Sequence, residues 1–153
     1  MDLSSIITDN VTEVLVKVID FADRRHTVLT RNILGVNTED FLPMDLDVEQ
    51  FANVMMVGVG EHIRSERLLL RDSENVKFGA GGDFESPAIV DYEAVRLFKE
   101  DIDAYIEFQI EKLSENLLNK KVAAQLLEQK HGQSRTAKYL NGELSIEGGV
   151  QRF

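Results

Sequence analysis

The chain contains no cysteine and no tryptophan, and has only two prolines in 153 residues. Each absence excludes something. Without cysteine there is no disulfide framework, no thiolate nucleophile and no cysteine-held metal, and the redox state of the compartment leaves no mark on the sequence. With proline confined to Pro43 and Pro87, little interrupts the backbone, which favours long helices over many short strands. The longest apolar runs are VLVKVI, broken by Lys17, and VMMVGVG. Both fall far short of the roughly 20 residues a membrane helix needs, so no direct membrane insertion is expected. The first residues, MDLSSIITDN, lack a basic stretch followed by an apolar one, so no cleaved signal peptide is expected.

What is present fits one folded unit with a modest core, 43% hydrophobic and 29% charged. The net charge of −10 is spread unevenly. Residues 1–60 hold 10 acids and 4 bases and residues 91–115 hold 8 and 3, whereas residues 116–153 hold 3 and 6. A mostly acidic body repels phosphate backbones, so no nucleic-acid partner is expected. The basic end (Lys120, Lys121, Lys130, Arg135, Lys138) offers a surface for an acidic patch on a neighbouring subunit.

Hydrophobic spacing divides the chain into four segments. Over residues 1–36, Leu15, Ile19, Ala22, His26, Leu29, Ile33 and Val36 recur at intervals of 4 and 3, the seam of a coiled coil. Val11, Val14, Val18, Phe21 and Val28 form a second stripe, so this helix needs partners on two sides. Asp9 or Asn10 is the expected N-cap of a helix over 11–34, and Gly35 and Asn37 end it by tolerating a left-handed backbone. Residues 37–86 read as irregular, with an acidic loop at NTEDFLPMDLDVEQ and a short helix over VEQFANVMM capped by Asp45 or Asp47. A hairpin between RLLLR and NVKF and a bend at GAGGD complete this segment. Residues 87–131 then form one long helix. Nothing from Ala88 to His131 is glycine or proline, Ser86-Pro87 and Asp91 are both start signals, and unbroken the 44 residues reach about 66 Å. Its stripe is Val95, Phe98, Ile102, Ile106, Ile110, Leu113, Leu117, Ala124 and Leu127. Residues 132–153 form a tail. The fold class expected is mainly α, with the N-terminal and long C-terminal helices packed as a coiled-coil-like pair around an irregular or short-β middle, and with Ile19, Leu29, Ile106 and Leu113 buried.

Candidate chemistry is sparse. His26, His62 and His131 lie far apart and make no paired metal spacing, and His26 on the seam reads as a packed or hydrogen-bonded structural histidine. Glu61-His62 has no nucleophile to activate. GAGGD lacks the preceding strand, the following helix and the lysine of a phosphate loop. Glu39, Asp40, Asp45, Asp47 and Glu49 lack the ligand series of a calcium loop and read as solvated acids. No catalytic residue, cofactor or metal is assigned.

One stretch carries more. TEVLVKVIDFADRRHTVLTRNILGVNTEDFLPMDLDVEQF, residues 12–51, resembles the start of the flagellar basal-body rod proteins, most closely the FlgB type. Their pattern reads L-x-x-A-L-D-F-A-x-x-R-H-x-x-L-x-x-N-I-A-N-V-N-T-P-G-Y, followed by D-L-D-F. This chain supplies Asp20, Phe21, Ala22, Arg25, His26, Leu29, Asn32, Ile33, Val36, Asn37 and Thr38, then Asp45, Leu46 and Asp47. It departs at Leu34-Gly35, where the family has alanine-asparagine, and at Glu39-Asp40-Phe41, which replaces proline-glycine-tyrosine. Val90-Asp91 resembles the start of the family's C-terminal helix, while residues beyond His131 have no counterpart. The resemblance implies a structural, non-enzymatic subunit of the proximal rod in the periplasm. It would be exported through the flagellar apparatus without a cleaved signal and would assemble with copies of itself and other basal-body subunits through its terminal helices. The implied interface residues are Leu15, Ile19, His26, Leu29, Asn32, Ile33, Asn37, Thr38, Phe41, Ile106, Leu113 and Leu117. The alternative is a phage tail or neck protein assembling as a helical ring or tube.

Overall fold

The computed structural model describes residues 3–65, 67–79 and 84–140, with side chains described from Asn10 to Gly132 within those stretches. It is mainly helical. The elements are α1 (Leu3–Leu34), β1 (Met44–Asp45), α2 (Val48–Ser65), β2 (Lys77–Phe78), β3 (Phe84–Glu85), β4 (Ile89–Val90), α3 (Tyr92–Glu100) and α4 (Ile102–Leu140). Two antiparallel ribbons serve as ties, β1 with β4 (Met44 opposite Val90) and β2 with β3 (Phe78 opposite Phe84).

α1 and α4 pack against each other. Partners such as Asn32 with Gln109 and Ala22 with Asn116 show that the helices run antiparallel. The second stripe of α1 faces a different neighbour. Phe21 stacks on Phe51 of α2 with ring centroids 4.0 Å apart, and Val14, Val18 and Val28 pack on the same cluster, which includes Leu46, Met55, Val76 and Phe84. The core therefore sits between α1, α2 and the β2–β3 ribbon.

Several boundaries differ from the sequence reading, each for a physical reason. α1 begins at Leu3, so Asp9 and Asn10 lie inside it and not at its start. It ends after Leu34 with Gly35 N–H donating to Arg31 O at 2.8 Å. Gly35 is needed there for close approach: a Cβ would meet Arg31 O at 2.8 Å and the Phe41 ring at 3.2 Å. The left-handed residue is Asp40, at φ 57°, where the sequence pointed to Gly35 and Asn37.

α2 runs nine residues past the expected MM, because Gly58 and Gly60 do not break it. Gly58 is where residues 68–70 lie on the helix, since a Cβ would meet Leu70 Cδ2 at 2.6 Å. RLLLR is thus packed coil, and the hairpin strand NVKF pairs instead with Phe84-Glu85. Most of the GAGGD bend, residues 80–83, lies outside the described residues.

The 44-residue helix is two helices. Ser86-Pro87 does not start one; Ile89-Val90 is strand, and Asp91 caps α3 by accepting the Ala94 N–H at 3.1 Å. Asp101 then adopts an extended conformation (φ −155°, ψ 99°). Its N–H closes α3 on Leu97 O, while its carboxylate accepts the Ala104 N–H and opens α4. One aspartate serves both ends, so the elbow needs neither glycine nor proline. α4 continues past Gly132 to Leu140, which places the first residues of the expected tail in helix. The remainder of the tail lies outside the described residues.

Candidate assembly interface

The helix pair is joined by polar side chains. Arg25 of α1 donates two hydrogen bonds to Asp45 of β1, Nε to Oδ1 at 2.9 Å and Nη2 to Oδ2 at 3.1 Å. Lys112 of α4 donates to Asp45 Oδ2 at 2.9 Å and to Asp91, the cap of α3. Leu46 N–H adds a fourth donor to Asp45 at 2.7 Å. Two cations and two carboxylates thus meet with most of their hydrogen-bonding capacity filled, the condition under which burying charge is tolerable. Burial pushes the Asp45 carboxyl up, but the hydrogen bonds and charges of Arg25 and Lys112 outweigh it and hold the pKa below the ordinary 3.8.

A turn further along, Asn32 does three jobs. Its amide donates to Met44 O at 2.6 Å and to Gln109 Oε1 at 3.0 Å, and its oxygen accepts the Met44 N–H at 3.1 Å. Tyr105 OH donates to Asn32 O at 2.6 Å, and Asn116 donates to Ala22 O at 2.8 Å. Burial and the charge of Asp91 push the Tyr105 phenol up to about 12. Beside this network Phe98 bridges Phe41 and Tyr105 edge-to-face, with centroids 5.3 and 5.1 Å apart, which ties the 35–41 turn to the α3–α4 elbow.

The implied interface residues scatter over this geometry. Leu29 and Asn32 are fully buried inside the chain, so their contacts are already made. Leu15, Ile19, Ile33, Phe41, Ile106 and Leu113 are half-buried, so of the four residues expected in the core only Leu29 is enclosed. His26 is exposed and is not a packed structural histidine, while Asn37, Thr38 and Leu117 are exposed as well. Asp45 is no solvated acid, and Asp47 caps α2 by accepting the Gln50 N–H at 3.0 Å.

The apolar stripe read along α4 lies to one side of its buried face. That face is Tyr105, Gln109, Asn116 and Ala123, with Lys112 between them. Apolar periodicity does not reveal this face, because most of its side chains are polar. The 4-3-4 spacing of Tyr105, Gln109, Lys112 and Asn116 was nonetheless a readable helical seam.

With the polar seam turned inward, apolar surface is left outward. Ile102, Ile110 and Leu117 are 47%, 51% and 62% exposed. On the other side a groove of about 510 Å³ runs between α1 (Leu15, Val18), α2 (Phe51, Met55) and α4 (Leu118, Val122, Leu126). Among the described residues no cluster of three His, Asp or Glu side chains is arranged to hold a metal ion. None of the helices described is long and apolar enough to cross a membrane. The chain matches no family model, no curated protein and no solved structure.

Proposed function

We propose that the chain is a structural subunit of the bacterial flagellar basal-body rod, assembling through α1 and α4 with copies of itself and with other basal-body subunits. One observation carries this reading. Arg25, Asn32 and Asp45, three of the residues through which residues 12–51 resemble the rod proteins, are the side chains that tie α1 to β1 and α4. A chance likeness between helical sequences has no reason to select the buried polar joints of the fold. Ile102, Ile110 and Leu117, exposed along one side of α4, add support as apolar surface open to a neighbouring subunit. In this proposal the subunit has no catalytic activity, needs no cofactor or metal, and reaches the periplasm through flagellar export.

The test is deletion of the gene in its source bacterium, followed by electron microscopy of isolated basal bodies. Loss of the rod, restored by the wild-type gene, is the expected outcome. Intact rods and normal motility refute the proposal. Recovery of the chain in phage tail or neck assemblies would replace it with the alternative reading.

A further inference from the structure

Residues 95–116 carry two helical faces, and the folded chain encloses only one of them. Tyr105, Gln109 and Asn116 turn inward on α4. Beside them Val95 and Phe98 of α3 and Ile102, Ile106, Ile110 and Leu113 of α4 recur at intervals of 3, 4, 4, 4 and 3, each half-buried or exposed. This apolar series keeps one helical period across Asp101, where the backbone is extended and the helix is broken. Residues on either side of a break share no common axis, so nothing in the bent chain requires the period to run through it. The pattern is that of a single straight helix, folded in two.

The bend is held by contacts and not by the local sequence. Neither glycine nor proline occurs between Ala88 and His131. With Asp101 extended, the N–H groups of residues 102–104 cannot bond to the carbonyls of 98–100 as a helix demands, and the Asp101 carboxylate takes up only the Ala104 N–H. Tertiary contacts offset that loss. Ala94 is fully enclosed, Phe98 lies edge-on to both Phe41 and Tyr105, and β4 pairs with β1. Lys112 donates to Asp91, although a straight helix would hold their backbones about 31 Å apart at 1.5 Å per residue.

We propose that the α3–α4 elbow is a two-state hinge, with a second state in which residues 92–140 form one continuous helix. Asp101 is the pivot and Phe98 the latch. Straightening restores the helical bonds across Asp101 and lines the apolar series along one side. It gives up the Phe98 ring contacts, the burial of Ala94, the Asp91–Lys112 pair and the β1–β4 ribbon. The Arg25–Asp45–Lys112 and Asn32–Gln109 contacts do not involve α3, so α1 and α4 stay joined while α3 is released. The hinge belongs to the single chain and stands or falls apart from rod assembly.

The absence of cysteine allows two spin labels to be placed on the full chain, at Tyr92→Cys and Leu117→Cys, both exposed positions. Pulsed electron paramagnetic resonance then reads the distance between them. The bent state gives a short distance, and the straight state one of about 38 Å, from 25 residues at 1.5 Å each. Asp101→Leu removes the cap of α4 and favours helix, so it should raise the straight-to-bent ratio about tenfold. Adding Phe98→Ala should raise it about tenfold again, through loss of the two ring contacts. Asp101→Asn keeps a capping side chain and should leave the distance distribution as in the wild type. A single short distance in the Asp101→Leu/Phe98→Ala chain overturns the proposal. So does a broad spread with no peak near 38 Å, which would make the elbow a loose joint with no second helical state.

Discussion

The two ends of the α1–α4 pair are built differently. At the elbow end, from Arg25 to Asn32 and from Tyr105 to Asn116, the helices are joined by ion pairs and side-chain hydrogen bonds to the chain crossing between them. At the other end α1 is flanked by α2 and α4 with an open apolar groove between the two. Polar joints are directional and leave a buried group unsatisfied when the register slips, so the elbow end fixes how the helices meet. Apolar walls accept many partners and are satisfied by any well-shaped neighbour. The chain thus spends specificity on itself at one end and keeps adhesive surface at the other.

The most damaging way to break this contrast is at Asp45. Asp45→Ala leaves the buried Arg25 without its carboxylate and Lys112 with Asp91 alone, and removing one partner of a buried ion pair costs about 3–5 kcal/mol. Urea unfolding followed by circular dichroism should show a loss of that size. A loss below about 1 kcal/mol would mean that water enters the elbow freely and the joint is not a rigid one.

Apolar truncations should grade with enclosure. Leu29 is fully buried, so Leu29→Ala should cost about 2–5 kcal/mol. Leu113 is only half-buried, and Leu113→Ala should cost about 1 kcal/mol by the area it still covers. The same unfolding measurement checks both, and equal losses at the two sites would show that Leu113 is enclosed as well as Leu29.

Acid and alkali probe the elbow from opposite directions. The Asp45 pKa is depressed in the folded chain, so its contribution is complete above the unfolded value of about 3.8 and is lost as pH falls through the folded value. Tyr105 has the opposite sign. Its phenol is held protonated up to about 12, so its contribution is complete below pH 10 and is lost as pH rises towards 12. Asp45→Asn should flatten the acid limb of the stability–pH curve and Tyr105→Phe the alkaline limb. A wild-type curve unchanged in shape by either variant would place the titrating groups elsewhere.

The open end was more legible in the sequence than the elbow. Apolar residues at helical spacing revealed α1 with its second stripe, and the helical character of residues 92–140, although on α4 the stripe lies beside the buried face. The elbow joint was hidden from that pattern. Arg25, Asn32, Gln109, Lys112 and Asn116 look like solvent-facing residues until tertiary structure supplies their partners. Asp45 looked like one more acid in an acidic loop. The break at Asp101 was invisible because aspartate caps rather than forbids a helix, and α2 was cut short because its two glycines resemble breakers while one of them is a packing site.

The smallest expected effect on stability sharpens the comparison most. Leu117 is 62% exposed on the outward stripe of α4, so truncating it removes little surface from contact within the chain. Leu117→Ala should change unfolding by no more than about 0.5 kcal/mol, the range of surface substitutions. If the stripe serves assembly, the same variant should still reduce rod formation in the deletion strain, because a leucine at the centre of a subunit contact is desolvated only there. A variant neutral in both measurements would return the stripe to ordinary solvated surface. One that unfolds the monomer would show that α4 is packed on this side within the chain itself.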